Sequence, residues 1–198
     1  TIIRCVKVID NRIYTGCYME FGFWSRQSNG TLKYTSLSSA IKNKILNDEH
    51  FWNILHYDQW VIFQSLNRIY IYDTKARTFK IIAPGSSITK SYQTSNSIYF
   101  QTVNEGLFEL QSGKAHLVSN NPILRNNRII NVFSTAEGLI IQTQLNGYYK
   151  LIGTTVSKFA TEADSKIETS SVYSSLILSD GSFAVGTVSN GVFILTKE

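Results

Sequence analysis

A pair of short strands joined by a tight polar turn recurs along this chain and constrains its fold more than any other feature. In the best-formed copy, an apolar strand ends at Gly186-Thr187, a polar turn closes at Gly191, and a second strand runs to Leu195. Earlier segments repeat the pattern at 141–151, 100–110, 63–72 and 14–24. The copy at 63–72 has a shorter turn without glycine, and the copy at 14–24 is the loosest.

The spacing of these copies indicates the fold class. Equivalent positions are Gly16, Gln64, Gln101, Gln142 and Gly186, which are separated by 48, 37, 41 and 44 residues. A strand-and-turn repeat of roughly 40–45 residues is typical of β-propeller blades. The sequence therefore predicts an all-β fold: a partial β-propeller of about five four-stranded blades, the last of them incomplete.

The turn signals divide one propeller-domain fragment, residues 1–198, into blades. The predicted blades are 1–37, 51–83, 88–119, 129–160 and 171–198. Blade five stops after its third strand and no strand precedes blade one to complete a ring, so we expect a piece of a larger propeller. Residues 38–50 are the least β-like, and Ser38 or Ser39 is expected to cap a short helix there.

Composition excludes several classes of protein. Aromatic residues make up 13% of the chain, which favours strands, and the apolar runs are too short to span a membrane. The formal charge is +5, but the basic residues are spread along the whole length. No recognised module or basic helix accompanies them, so we expect no nucleic-acid partner.

The two cysteines, Cys5 and Cys17, flank the first hairpin. A three-residue turn at 10–12 would place them opposite each other. They are then either two small buried hydrophobic residues or a cross-strand disulfide, which requires Cβ atoms about 3.5–4.5 Å apart. Their spacing fits neither a metal site nor a C-x-x-C motif.

Catalytic and metal-binding motifs are sparse. His50 and His56 lie six residues apart with no further ligand nearby, so we predict no metal site and no cofactor. A nucleophile elbow of the G-x-S-x-G type is absent. Glu20 and Glu105 occupy equivalent turns of different blades, and two carboxyl groups about 5–9.5 Å apart would suit glycoside hydrolysis. Both are also ordinary turn residues, and we predict no catalytic residue.

Binding is the function that the turns favour. The turns between second and third strands and the connections between blades should open on one face of a propeller. Arg and Asn together can clamp carboxylates or sugar hydroxyls. The residues gathered on this face would be Glu20, Phe21, Asn67, Arg68, Asn104, Glu105, Asn146, Asn190, Arg125, Asn127 and Arg128. The ligand-binding candidates among them are Glu20, Arg68, Glu105, Arg128 and Asn146.

Each binding candidate has a structural alternative. Asn and Gly also occur in such turns because the backbone there adopts positive φ. Trp24, Trp52 and Trp60 would stack on a sugar or pack between blades, and packing is the more frequent role.

The run Arg12-Ile13-Tyr14-Thr15-Gly16-Cys17-Tyr18-Met19-Glu20-Phe21-Gly22-Phe23-Trp24 resembles a GRIYVGSYxEFGYW blade. That blade occurs in the two-component regulator propeller family, the periplasmic sensors of Gram-negative gut bacteria. The resemblance continues over nearly the whole chain, at 34–37, 51–54, 63–65, 69–73, 106–110 and 178–187. The chain departs from the pattern at Arg68-Ile69, where the usual turn glycine is absent, and at Cys17, where a smaller residue is more usual.

This resemblance implies a ligand-sensing, non-catalytic module in the periplasm, as the extracytoplasmic part of an inner-membrane regulator. Such regulators carry further propeller blades, a triple-tyrosine immunoglobulin-like domain, a transmembrane helix, and a histidine kinase or DNA-binding output for transcription regulation. The implied partners are an unidentified ligand, such as a carbohydrate, the rest of the parent protein, and a second copy of that parent. No ligand-binding motif of the family is visible, so the resemblance assigns no residue a role. A carbohydrate-active propeller enzyme and a protein-assembly scaffold stay open as alternatives.

Overall fold

The computed structural model describes residues 2–196, and residues 1, 197 and 198 of the predicted first and fifth blades lie outside this range. The described chain contains five antiparallel sheets, each of which is one blade. The strands of blade 1 are β1 (Cys5–Ile9), β2 (Arg12–Gly16), β3 (Phe21–Arg26) and β4 (Leu32–Ser36). Those of blade 2 are β5 (Asn53–Tyr57), β6 (Trp60–Gln64), β7 (Ile69–Asp73) and β8 (Thr78–Ile82).

The remaining blades have the same build. Blade 3 contains β9 (Ile88–Gln93), β10 (Ile98–Thr102), β11 (Gly106–Gln111) and β12 (Lys114–Ser119). Blade 4 contains β13 (Ile129–Thr135), β14 (Gly138–Thr143), β15 (Tyr148–Ile152) and β16 (Thr155–Phe159). Blade 5 has three strands in the described residues, namely β17 (Val172–Ile177), β18 (Phe183–Thr187) and β19 (Val192–Leu195). Neighbouring strands in each sheet are consecutive in sequence.

The blades pack in chain order through their first strands: β1 lies against β5, β5 against β9, β9 against β13, and β13 against β17. Four buried apolar clusters fill the spaces between neighbouring blades. The middle strands are therefore buried on both faces, as in β7, whereas the outer strand β16 is largely exposed. This arrangement confirms the predicted partial propeller.

The two ends of the arc present apolar side chains to solvent. On β1, Val6 and Val8 are 56% and 67% exposed, and on β17, Tyr173 and Leu176 are 74% and 53% exposed. Among the described residues, no buried cluster joins blade 5 to blade 1. The five blades thus form an open arc.

Polar side chains also tie the first strands of blades 2, 3 and 4 to the next blade. The hydrogen bonds run from Asn53 Nδ2 to Ser91 O (3.0 Å), from Lys90 Nζ to Ile130 O (3.0 Å), and from Asn131 Nδ2 to Ser175 O (2.7 Å). The three donors occupy one repeat position, since they pair across the sheet with Gln64, Gln101 and Gln142. A hydrogen bond between neighbouring blades therefore recurs together with the apolar repeat and helps to fix how the blades pack.

The predicted position of the cysteines is wrong. A two-residue turn joins Ile9 to Arg12, so Cys5 pairs with Gly16 rather than with Cys17. One residue of register moves a side chain to the other face of a strand. Both thiols are free.

The segment between blades 1 and 2 is helical, but its start was predicted incorrectly. A 3₁₀ helix spans Ser38–Lys44, and Leu37 occupies the N-cap position without a side-chain cap. The Ser36 hydroxyl instead accepts a hydrogen bond from the Ser39 N–H at 3.1 Å. Short α-helices α1 (Pro122–Asn126) and α2 (Asp164–Thr169) lie in the last two connections.

Candidate functional site

The turns between second and third strands and the connections between blades meet on one side of the arc, here named the turn face. Backbone hydrogen bonds show this directly: the Ile88 N–H donates to Leu66 O at 2.7 Å, and the Val103 N–H donates to Ser87 O at 2.8 Å. The same joint recurs in blade 4, where the Gln144 N–H donates to Arg128 O at 2.9 Å. Each turn is thus fastened to a connection beside it.

A cavity of about 400 Å³ opens on this face between blades 2, 3 and 4. Small-molecule sites commonly have volumes of about 300–1,000 Å³. The polar residues that line the cavity are Ser87, Thr89, Gln101, Asn104, Arg125, Asn126, Asn127 and Arg128. We name it the arginine pocket.

Gln101 holds the wall of the arginine pocket in place. Its Nε2 donates to Leu124 O and Asn127 O, both at 2.7 Å, and its Oε1 accepts from the Ile129 N–H at 2.9 Å. The side chain is 2% exposed. The backbone from 124 to 129, which carries both arginines, is therefore fixed by a buried amide.

The short helix α1 completes this wall. Asn121 caps it by accepting a hydrogen bond from the Ile123 N–H at 3.0 Å, and Pro122 occupies the first turn, where its missing N–H costs nothing. At the other end, Asn127 Nδ2 donates to Ile123 O at 2.9 Å. The last turn of the helix and the two residues after it therefore carry the rim of the pocket, from Arg125 to Arg128.

The arginine pocket is electropositive. Its lining includes two arginines and no acidic residue. Among the described residues, the salt bridges join Lys150 to Glu137 and Lys158 to two acidic residues, so neither Arg125 nor Arg128 has a carboxylate partner. Burial, and then the nearby charge of Arg128, lower the pKa of Lys90. The site would therefore attract an anion.

Arg128 is the predicted candidate that lines the arginine pocket, and Asn146 lies one contact away. The side-chain amide of Asn146 donates to Asn127 Oδ1, so it supports a pocket residue from blade 4. Asn104, Arg125 and Asn127, which were expected on the same face, also line the pocket.

The other candidates are bound within the scaffold. Glu20 Oε1 accepts hydrogen bonds from the hydroxyls of Tyr34 and Ser36, both at 2.8 Å. Glu105 Oε2 accepts from the Thr102 hydroxyl at 2.8 Å. The Arg68 guanidinium donates to Lys44 O. These three side chains do not line the arginine pocket.

The distinctive run of blade 1 also has a structural explanation. Phe21 is fully buried and stacks on the Phe63 ring with centroids 4.3 Å apart, and a Cβ atom at Gly22 would lie 2.2 Å from Thr35 O on β4. Trp24 packs against Tyr34 with ring centroids 4.9 Å apart. Phe21, Gly22 and Trp24 therefore serve the packing of β3 against β4 and the core.

Two features of the scaffold were not singled out from the sequence. Glu49 is 1% exposed and accepts hydrogen bonds from the Ser65 hydroxyl (2.5 Å), the Tyr70 hydroxyl (2.6 Å) and the Leu46 N–H (3.0 Å). The residue after Gln64 and the residue after Gln142 cap the adjacent turn: the Ser65 hydroxyl accepts from the Arg68 N–H at 2.9 Å, and the Thr143 hydroxyl accepts from the Asn146 N–H at 3.1 Å. The recurring Gln-Ser or Gln-Thr pair was the available sequence signal.

An aromatic cluster lies near the boundary between blades 1 and 2. The imidazole of His50 lies between the rings of Tyr18 and Trp52, with centroid distances of 4.9 and 5.7 Å. The Arg4 guanidinium lies 4.5 Å above the Trp52 ring. Trp52 is 45% exposed, so it does not pack between blades.

A larger cavity of about 860 Å³ separates blades 4 and 5 beside β19. In the space between blades 1 and 2, the side chains of Phe79 and Ile81 from the outer strand β8 pack against the apolar cluster. Val156 of β16 does the same between blades 3 and 4. The larger cavity lies in the position that outer-strand side chains fill between those other blades, so we interpret it as a packing space. We therefore place the candidate site in the arginine pocket.

Comparison with solved structures supports the propeller fold. The chain is similar to BamB from Moraxella catarrhalis, with a TM-score of 0.69 and 7% identity over 98% of this chain and 57% of that one. It is also similar to the extracellular domain of the hybrid two component system BT4673 from B. thetaiotaomicron, with a TM-score of 0.66 and 15% identity over 100% of this chain and 26% of that one. Streptogramin B lyase matches with a TM-score of 0.65 and 10% identity over 97% of this chain and 67% of that one.

At these identities the likeness establishes the fold alone. No protein-family model matches the chain, and no curated protein matches it. The chain spans only part of the structures it resembles, from about a quarter of the BT4673 domain to about two thirds of streptogramin B lyase. Among residues 2–196, no helix is long and apolar enough to cross a membrane.

Proposed function

We propose that this chain is a non-catalytic, ligand-binding part of the extracytoplasmic sensing propeller of a membrane-spanning bacterial signalling regulator. The observation that carries the proposal is the likeness of this whole chain to about a quarter of the extracellular domain of BT4673, a two component system. The blade resemblance at 12–24 supports the same assignment. The arginine pocket on the turn face supports the proposal, because its volume and polar lining suit a small ligand.

Under this proposal the module acts in the periplasm, together with further blades and a triple-tyrosine domain of its parent protein. A carbohydrate is one candidate for its ligand. The parent protein would function as a homodimer. A bound ligand would shift the equilibrium between two conformations of the module only as far as its affinities for those two conformations differ. The signal would pass through a transmembrane helix to a kinase or DNA-binding output that regulates transcription.

A propeller enzyme is the competing function, because streptogramin B lyase is also a structural neighbour. The contacts of Glu20 and Glu105 favour the non-catalytic proposal, since both carboxylates accept hydrogen bonds from hydroxyls of their own blade. Assays of glycan cleavage with Glu20→Gln and Glu105→Gln separate the two. We expect no cleavage by the unaltered chain, and a cleavage activity lost in either variant would overturn the proposal. Repeated failure to find any ligand in a glycan array and a melting screen would instead favour an assembly scaffold.

The sequence that flanks this chain in its gene provides the direct test. We expect it to encode a transmembrane helix followed by a histidine kinase or a helix-turn-helix module. An alkaline phosphatase fused to the propeller of the full-length protein should be active, because that reporter requires export. A complete gene product without a membrane segment, together with an inactive reporter, would refute the proposal.

A further inference from the structure

We propose that the arginine pocket binds a small polyol that bears a carboxylate, such as a uronic acid, with Arg125 and Arg128 holding the carboxylate. This inference rests on the proposed function, since it specifies the chemical class of ligand for the same site. It depends on three properties of the pocket: its unpaired positive charge, its free amide groups and its fixed wall.

The charge of the pocket selects an anion. Arg125 and Arg128 are both exposed and both line the cavity. Neither forms a salt bridge among the described residues. A guanidinium group presents its N–H donors in a planar fork that matches the two oxygens of a carboxylate. Lys90 adds a third positive group near Arg128, although its ammonium already donates to Ile130 O at 3.0 Å.

The amides of the pocket select hydroxyl groups. Asn104 and Asn126 are exposed on the lining, and within residues 2–196 neither side chain has a hydrogen-bond partner. A side-chain amide offers both donors and an acceptor, and a hydroxyl group is likewise a donor and an acceptor. Two free amides beside two guanidinium groups therefore match a ligand that has hydroxyls next to a carboxylate. A bare inorganic anion would leave the amide oxygens unused.

The wall of the pocket is fixed before any ligand arrives. Gln101 holds the backbone at Leu124, Asn127 and Ile129 through three hydrogen bonds of 2.7–2.9 Å. Asn146 supports Asn127 from the next blade. A pre-formed site reduces the ordering cost of binding. The arginines therefore project from a rigid backbone, which suits recognition of a small ligand.

The experiment compares two ligands that differ in charge. Calorimetric titration of the chain at low salt uses digalacturonate, its uncharged methyl ester, and inorganic sulfate. We expect digalacturonate to bind at least about tenfold more tightly than the ester or sulfate, since one charge-assisted contact of about 1.5–3 kcal/mol corresponds to that factor or more. Arg125→Gln and Arg128→Gln should each weaken digalacturonate binding about tenfold. Arg26→Gln, at the end of β3 on blade 1, is the matched control and should bind as the unaltered chain does.

Each other outcome identifies what fails. Equal binding of digalacturonate and its ester, or equal binding by the arginine variants, would overturn the inference while leaving a ligand-binding propeller intact. Sulfate binding as tight as that of digalacturonate would reduce the site to a general anion site and overturn its polyol part. If neither digalacturonate nor a second uronate, diglucuronate, binds to the chain, the inference is overturned as well. The proposed function fails by a different measurement, the flanking gene and its reporter fusion. Circular dichroism of each variant checks that it is folded.

Discussion

The side-chain Oε1 of Gln101 accepts a hydrogen bond from the Ile129 N–H at 2.9 Å and thereby joins blade 3 to blade 4. Gln64 also joins two blades, because its Oε1 accepts a hydrogen bond from the Ser91 N–H of blade 3 at 3.1 Å. Both glutamines are 2% exposed. A glutamine at one repeat position thus links the end of a second strand to the first strand of the next blade.

Replacing Gln101 with leucine should destabilise the propeller. The Gln101→Leu change leaves the Ile129 N–H and the carbonyls of Leu124 and Asn127 without their partner, and each such group that is fully buried costs about 1–3 kcal/mol. We expect the free energy of unfolding to fall by at least about 2 kcal/mol, measured by urea denaturation. Because the same amide fixes the wall of the arginine pocket, digalacturonate binding should weaken as well. Unchanged stability would contradict the interblade role.

Gln142 occupies the same repeat position and supplies the matched control. Among the described residues, its two amide atoms and the Tyr148 hydroxyl are buried without hydrogen-bond partners. Gln142 and Tyr148 pair across β14 and β15. We expect Gln142→Leu to leave the free energy of unfolding unchanged or to raise it by about 1 kcal/mol, because it removes a buried unpaired amide. A loss as large as that of Gln101→Leu would show that Gln142 carries a contact in solution.

The sequence predicted the fold well because the fold is built from local pairs. Each hairpin places Gly16, Gln64, Gln101, Gln142 and Gly186 at matching register positions, and short turns set that register independently in every blade. The same dependence on turn length explains why the cysteine prediction failed. The first turn has one residue fewer than predicted, so Cys5 pairs across the hairpin with Gly16 and not with Cys17. The spacing of the repeats is therefore enough to predict the architecture. Predicting which face of a strand one side chain occupies also requires the exact length of the turn.

The candidate site was predictable only in outline. Arg128 was expected on the turn face because connections between blades lie there, and it lines the arginine pocket. The hydroxyls that donate to Glu20 come from Tyr34 at the centre of β4 and Ser36 at its end, 14 and 16 residues further along the chain. Such pairings depend on the register of β3 against β4, which the hydrophobic pattern of either strand does not specify. The sequence thus located the face but did not separate scaffold side chains from available ones.

Glu49 should contribute strongly to stability. Its buried carboxyl group accepts hydrogen bonds from the Ser65 and Tyr70 hydroxyls and from the Leu46 N–H, so it fastens the connection after blade 1 to blade 2. We expect Glu49→Ala to lower the free energy of unfolding by about 3 kcal/mol. A double-mutant cycle with Tyr70→Phe should give a coupling energy of about 0.5–3 kcal/mol. Additive effects would show that this hydrogen bond adds nothing to stability.

Strongly alkaline solution should unfold the chain cooperatively. Burial is the main cause that raises the pKa of Tyr34, Tyr70, Tyr92 and Tyr148 above the ordinary value of 10. A raised pKa means that the folded state holds its proton longer than the unfolded state, so the contribution is fully present below pH 10 and is lost as the pH rises above it. Each tyrosine then removes stability at about 1.4 kcal/mol per pH unit. We expect tyrosinate absorbance and loss of circular dichroism to appear together above pH 10, with a shallower decline in Tyr92→Phe. Tyrosinate absorbance from all four residues in a chain that keeps its circular dichroism would contradict this account.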